Sequence, residues 1–178
     1  MTPEPAGDRL DRLEAYEAIR QLAARYAVAI DSRDLDALVA LFVPDVRVGG
    51  GATGRQALRD SFDASLRAIG VSVLSVGTHV IDLVDPDNAT GTVYCKGEIQ
   101  DGDRWIHQAI VYDDRYRRQD GCWYFVRRVH RLFYGAETGV NPLGLPPADW
   151  PEHHDGLGTL PGAWPTWASF WSPPQGEG

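Results

Sequence analysis

Cysteine is scarce in this chain, with two in 178 residues. Cys95 and Cys122 can form neither a disulfide framework nor a zinc site, because neither has a Cys or His beside it at ligand spacing. They read as buried, reduced thiols. Long apolar runs are missing as well. No stretch approaches the ~20 residues that a membrane span needs, and the opening MTPEPAGDRLDRLEAYE is polar rather than signal-like. The expectation is a cytoplasmic protein that makes no use of a membrane. Positive charge is short too: 17 Lys and Arg stand against 25 Asp and Glu, a formal net charge of -8. The longest basic runs are the pairs Arg117-Arg118 and Arg127-Arg128, too little to hold a nucleic-acid backbone. Gly49-Gly50-Gly51 precedes no Lys-Ser/Thr and is a turn rather than a phosphate loop. His153-His154 beside Asp155 is too small a cluster to indicate metal. No cofactor is expected.

What is present is one globular core's worth of apolar residues, 43% of the chain with 24% charged. From Asp8 to Ile30, Leu13, Ile19, Leu22, Ala23, Tyr26 and Ile30 recur at three- and four-residue steps and predict an amphipathic helix. Asp31-Ser32-Arg33-Asp34 interrupts it, and Leu35, Leu38, Val39 and Phe42 form a shorter helix that Pro44 ends. Val46-Arg47-Val48 reads as a short strand. Leu58, Phe62, Leu66 and Ile69 mark a third helix ending at Gly70. The period then falls to two: strands Val71–Val84, Ala89–Ile99, Trp105–Tyr116 and Trp123–Tyr134, joined by short polar turns, predict an antiparallel meander. Helices first and sheet second is an α+β order, with helices covering one face of a curved antiparallel sheet. The expected division is a cone domain over residues 1–140 and an arm over 141–178. Residues 142–178 hold eight of the twelve prolines and four of the six tryptophans, Trp150, Trp164, Trp167 and Trp171. That composition predicts an irregular segment, neither helix nor strand, packed as an edge cover, a lid or a contact with another subunit.

The run EAIRQLAARYAVAIDSRDLDALVALFVPDVRV, residues 17–48, resembles the start of SnoaL-like domains of the nuclear transport factor 2-like superfamily. The resemblance continues through Gly91-Thr92-Val93-Tyr94, Tyr112-Asp113-Asp114-Arg115-Tyr116 and Asp120-Gly121-Cys122-Trp123, so it spans about residues 10–135. It implies a cone of curved sheet closed by helices around an apolar pocket. Dehydratases, dehydrochlorinases, polyketide cyclases, ketosteroid isomerases and non-catalytic dioxygenase small subunits share that scaffold, so the fold does not choose among them. Tyr26 and Asp31 match pocket positions of the dehydratase-like branch. That branch places an imidazole on its first long strand where this sequence has Ser75. Under strict alternation His79 shares a face with Ser75 and Gly77 but lies about 13 Å further along.

Asp31 follows a helix C-terminus, where the dipole disfavours a carboxylate, so its position needs a reason. Either Asp31 or Ser32 caps the helix that follows, or Asp31 points into the cone with its pKa raised by desolvation and an imidazole beside it. His107 shares phase with Trp105, Ala109 and Val111, which would set it on an inward ring. His130 shares phase with Tyr124, Val126 and Leu132, and Arg131 on the opposite phase is an anchor for an anion or carbonyl. Cys95 faces the apolar side of its strand and lines the core or pocket, with no evident base to make it a nucleophile.

The resemblance together with these residues implies, as an expectation, a cofactor-independent acid–base enzyme, a dehydratase, cyclase or isomerase of secondary or xenobiotic metabolism, acting on a mostly apolar molecule with a carbonyl or hydroxyl. Asp31 would be the base, His79 or His107 its partner, and Tyr26 a hydrogen-bond donor, with Ser75, Cys95, His107 and Arg131 around the substrate. The alternative is a ligand-binding or assembly subunit like the small subunits of ring-hydroxylating dioxygenases. Self-association, by default as a dimer, is expected under either reading.

Overall fold

The computed structural model describes residues 6–149, 151–153 and 155–172; Trp150 and His154 lie outside them. Three helices precede the sheet: α1 (Ala6–Ser32), α2 (Leu35–Ala40) and α3 (Arg55–Arg67). Four strands follow, β1 (Ser72–Leu83), β2 (Asn88–Asp101), β3 (Arg104–Gln119) and β4 (Cys122–Glu137), in the order β1-β2-β3-β4 with every neighbour antiparallel. This is the α+β meander that the change of period predicted. The strand Val46–Val48 shrinks to a single bridge between Arg47 and Thr53.

α1 buries Ile19, Ala23, Tyr26 and Ile30 against Val93, Tyr112, Tyr116 and Phe125 of the sheet. Each large apolar side chain buried in this interface contributes roughly 1.5–3 kcal/mol to the stability of the domain. Gly91 sits within β2 because a Cβ there would stand 2.9 Å from the Tyr116 ring and 3.0 Å from the Val80 carbonyl oxygen.

Two features depart from the simple pattern. α1 runs two residues past Ile30, so Asp31 lies in its last helical turn, and Arg33 leaves it with a φ of 60°. The cap of α2 is Asp34, whose carboxylate accepts from the Ala37 N–H at 2.9 Å. Asp31 is therefore not a capping residue. Nor is the arm wholly irregular: it holds a helical turn at Pro142–Gly144 and a short helix α4 (Pro165–Trp171) that Pro165 starts. α4 docks on its own chain. Thr166 Oγ1 donates to the Ser32 carbonyl at 2.7 Å, Trp167 lies 5.0 Å from the Arg33 guanidinium, and Phe170 is buried under Arg67. Phe170→Ala removes that anchor, a loss of about 3 kcal/mol for a buried Phe. Because α4 is peripheral, the expected outcome is rapid proteolytic cleavage within 160–172 with little change in the urea midpoint of the cone.

Candidate functional site

Three bulges decide which side chains face the helices. In β1 the register shifts between Val76 and His79, so Ser72, Leu74, Val76, His79 and Ile81 face inward while Ser75 is exposed beside Lys96 on the outer face. Ser75 and His79 thus point to opposite sides, contrary to strict alternation, because one extra residue reverses the phase. In β4 the shift opposite Arg115 and Tyr116 leaves Val126 unpaired, placing Trp123, Phe125, Arg128 and His130 inside and Arg127, Val129 and Arg131 outside. β3 keeps strict alternation, with Ile110, Tyr112, Asp114 and Tyr116 inward.

His107 accordingly stands on the outer face, half exposed, with Nε2 3.4 Å from Glu98. Arg131 is also outside, 69% exposed, donating to Asp113 at 2.7 Å. Neither joins the interior, since each has the strand phase opposite to the helix-covered side chains.

Asp31 is 8% exposed. Its Oδ1 accepts from Ser72 Oγ at 3.0 Å and its Oδ2 from the Leu74 N–H at 2.8 Å. Ser72 Oγ in turn accepts from Arg33 at 2.8 Å, and Arg33 also donates to the carbonyls of Ile30 and Gly70. Burial pushes the Asp31 carboxyl up to about 6, more than the hydrogen bonds from Leu74 and Ser72 and the nearby Arg33 charge pull it down. The same burial brings the Arg33 guanidinium down to about 10. The expected Asp31–His79 pair is not formed: the carboxylate is occupied by Ser72 and Leu74, and His79 bonds elsewhere.

His79 Nε2 lies 3.0 Å from the Tyr116 hydroxyl, which donates to Asp114 Oδ2 at 2.7 Å. Because that hydroxyl spends its one proton on Asp114, its oxygen can only accept from His79. The network assigns the proton to Nε2, and the Nδ1 lone pair meets no donor among the described residues. Burial lowers the His79 pKa, against the pull of Asp114, so the ring is neutral at pH 7. Asp114 also takes a bidentate clamp from Arg128, at 2.9 and 2.7 Å, with side-chain exposures of 0% and 4%. The guanidinium is enclosed by the rings of Tyr26, Tyr112 and Phe125, each 4.3 to 4.4 Å away. Removing the middle of this chain by Tyr116→Phe takes one donor from the buried Asp114, which keeps its clamp from Arg128, and leaves the half-buried His79 Nε2 without its acceptor. About 1–3 kcal/mol of stability should be lost, and nitrogen NMR of the His79 ring should show the Nε2 tautomer no longer enforced.

The sequence reading missed Asp114, Tyr116 and Arg128. Tyr112-Asp113-Asp114-Arg115-Tyr116 did carry a signal, an aspartate in phase with two tyrosines on one strand. Arg128 was hidden by the bulge at Val126. Tyr26, Cys95 and Asp31 do face one interior. Tyr26 packs edge-on to Tyr112, ring centroids 5.9 Å apart, and both phenols have raised pKa values, chiefly from burial. They are neutral donors, and neither hydroxyl bonds a described residue. The Cys95 thiol is pushed up to about 11, chiefly by burial, and senses both Arg128 and Asp31. A thiolate nucleophile is excluded at neutral pH.

Next to Asp31 the inner face carries Leu74 and Ile110, which meet over Gly97, while the Asp114–Arg128 pair lies further along it. It is left open at the β4 edge, where His130 and Leu132 are exposed although their partners Tyr112 and Ile110 are buried. Four surface clefts of 310 to 510 Å³ are lined by described residues, and Asp31 lines none of the four. No helix among the described residues is long and apolar enough to cross a membrane.

Comparison with known proteins agrees with this architecture. A γ-hexachlorocyclohexane dehydrochlorinase of Sphingobium indicum is 29% identical over 126 residues, 67% of this chain and 81% of that protein. The crystal structure of a type 2 hexachlorocyclohexane dehydrochlorinase superposes with a TM-score of 0.66 at 25% identity, covering 77% of this chain and 99% of the other. A putative scytalone dehydratase from Novosphingobium aromaticivorans gives 0.63 at 23% identity over 74% of this chain and 92% of its own, a likeness of fold alone. The helices that close an open four-stranded meander and the match of residues 11–129 to the SnoaL-like domain lead to one conclusion: the chain belongs to the SnoaL-like family of nuclear transport factor 2-like proteins.

Proposed function

We propose that this protein is a cofactor-free acid–base enzyme of the lyase type, which removes a proton from an apolar small molecule and expels a leaving group such as chloride or hydroxide. The observation that carries the reading is the Asp31 carboxyl, buried at the inner end of α1 with a pKa near 6. A base titrating there is ionised at neutral pH yet basic enough to accept a proton in an elimination. Ser72 and the Leu74 N–H fix its orientation, leaving lone pairs for the substrate's hydrogen. The neutral hydroxyls of Tyr26 and Tyr112 are the donors for the departing group. The apolar side chains of Leu74 and Ile110, which meet over Gly97, favour a chlorinated or alicyclic substrate, as do the names of the relatives. The first assay is chloride release from γ-hexachlorocyclohexane, with Asp31→Asn as the control that should abolish it.

A second reading is favoured by one observation: both Asp31 oxygens are already bonded within the chain and no imidazole reaches them. On that reading the domain binds an apolar ligand without transforming it. Ligand affinity that survives Asp31→Asn, with no turnover in either protein, would select it.

A further inference from the structure

The bulge that turns Arg128 inward turns Arg127 outward, and this creates a second polar site far from Asp31 in character. Arg127 is the direct cross-strand partner of Arg115. Like charges directly opposed on antiparallel strands destabilise the pair, and neither residue has a carboxylate partner among the described residues. Arg47, from the segment after α2, and Arg117 line the same cleft of about 510 Å³, with Val46 and Val126 at its base. Among the described residues one acid pairs with these four guanidiniums: Asp45 accepts from Arg117 at 2.7 Å. The Nε of Arg117 is enclosed and has no acceptor. In a chain of net charge -8 such a concentration of positive charge is an exception. It is created by folding, since these arginines come from three separate stretches of sequence.

We propose that this cleft is a binding site for a pyrophosphate-bearing small molecule. A single carboxylate brings one charge and two oxygens, and would leave most of the arginines facing one another. A pyrophosphate group brings several charges and enough acceptor oxygens for the planar forks of Arg47, Arg115, Arg117 and Arg127 together. A cleft of this volume accommodates the group with an organic substituent attached.

The test is isothermal titration of the full chain with sodium pyrophosphate and, separately, with ADP, in wild type and in the Arg115→Gln/Arg127→Gln double variant. Saturable binding is expected, weakening as salt is raised because the site is exposed. Each lost charged hydrogen bond should weaken it about tenfold. Pyrophosphate binding alone identifies the free ion as ligand, and ADP binding as well identifies the ester; either supports the site. Absence of saturable binding up to about 10 mM, or affinity unchanged in the double variant, overturns it. So does a salt-sensitive doubling of the sedimentation mass that the double variant removes while neither phosphate binds, because the cleft would then receive the acidic surface of a second copy. Circular dichroism and chloride release should be unaffected in the double variant, whose side chains lie outside the core.

Discussion

Asp114→Ala is expected to lower the stability of the domain by about 3–5 kcal/mol. The carboxylate is fully buried and is, among the described residues, the one acid that bonds Arg128, whose guanidinium is walled in by Tyr26, Tyr112 and Phe125. Deleting it leaves a positive charge that can neither reach water nor shed its proton, and it also frees the Tyr116 hydroxyl that orients His79. Burial opposes the Arg128 charge, and the hydrogen bonds it donates to Asp114, together with the carboxylate's own charge and the influence of Tyr26 and Tyr116, outweigh that opposition and raise its pKa. Urea titration with circular dichroism measures the loss. A second variant separates the charge effect from loss of packing: in Asp114→Leu/Arg128→Met both ions are gone, and most of the stability should return. If the single substitution costs under about 1 kcal/mol, the ion pair is not the centre of the core.

Asp31→Asn is expected to have the opposite effect on stability while removing function. The folded-state pKa near 6 lies above the ordinary carboxyl value of 3.8, so the folded protein favours the protonated, neutral form. Its contribution to stability is complete below the unfolded pKa and is lost as pH rises through about 6; at pH 8 the loss approaches about 3 kcal/mol, at 1.36 kcal/mol per pKa unit. The amide stays neutral at every pH. Its oxygen can accept from the Leu74 N–H while its NH₂ donates to Ser72 Oγ, which already accepts from Arg33. The stability advantage of Asp31→Asn over wild type should therefore grow by roughly 1–2 kcal/mol between pH 5 and pH 8. Turnover should fall by about 10²–10⁴-fold, and the wild-type rate should rise through pH 6 as the base ionises. A residue that costs stability and supplies rate is a functional residue. A variant that is less stable at pH 8, with full turnover, would make Asp31 a structural tie between α1 and β1.

The α+β order, the meander and the helix faces were legible because they depend on local chemistry. Apolar spacing of three and four residues marks the buried stripe of α1, and polar turns such as Asp85-Pro86-Asp87-Asn88 end strands wherever they occur. Asp31 and Tyr26 stood out through the family resemblance and through a carboxylate set at a helix C-terminus, and Cys95 through the unbroken alternation of β2. His107, Ser75 and Arg131 were placed inside and stand outside. For Ser75 the cause is the bulge before His79, and for His107 it is that Trp105, its guide, is buried on the outer face beside Glu98.

The sequence alone determined the composition of the core, the order of helices and strands, and the absence of any long basic run. Which side chains meet was decided by tertiary structure. An inserted residue in β1 and another at Val126 in β4 reverse the side chains that follow them, the latter as far as a further bulge at Phe133, and no periodicity announces where a strand will bulge. Those two reversals put His79 on Tyr116, Arg128 on Asp114 and Arg127 opposite Arg115, contacts between residues 12 to 37 positions apart that only the folded sheet brings within bonding distance or strand register.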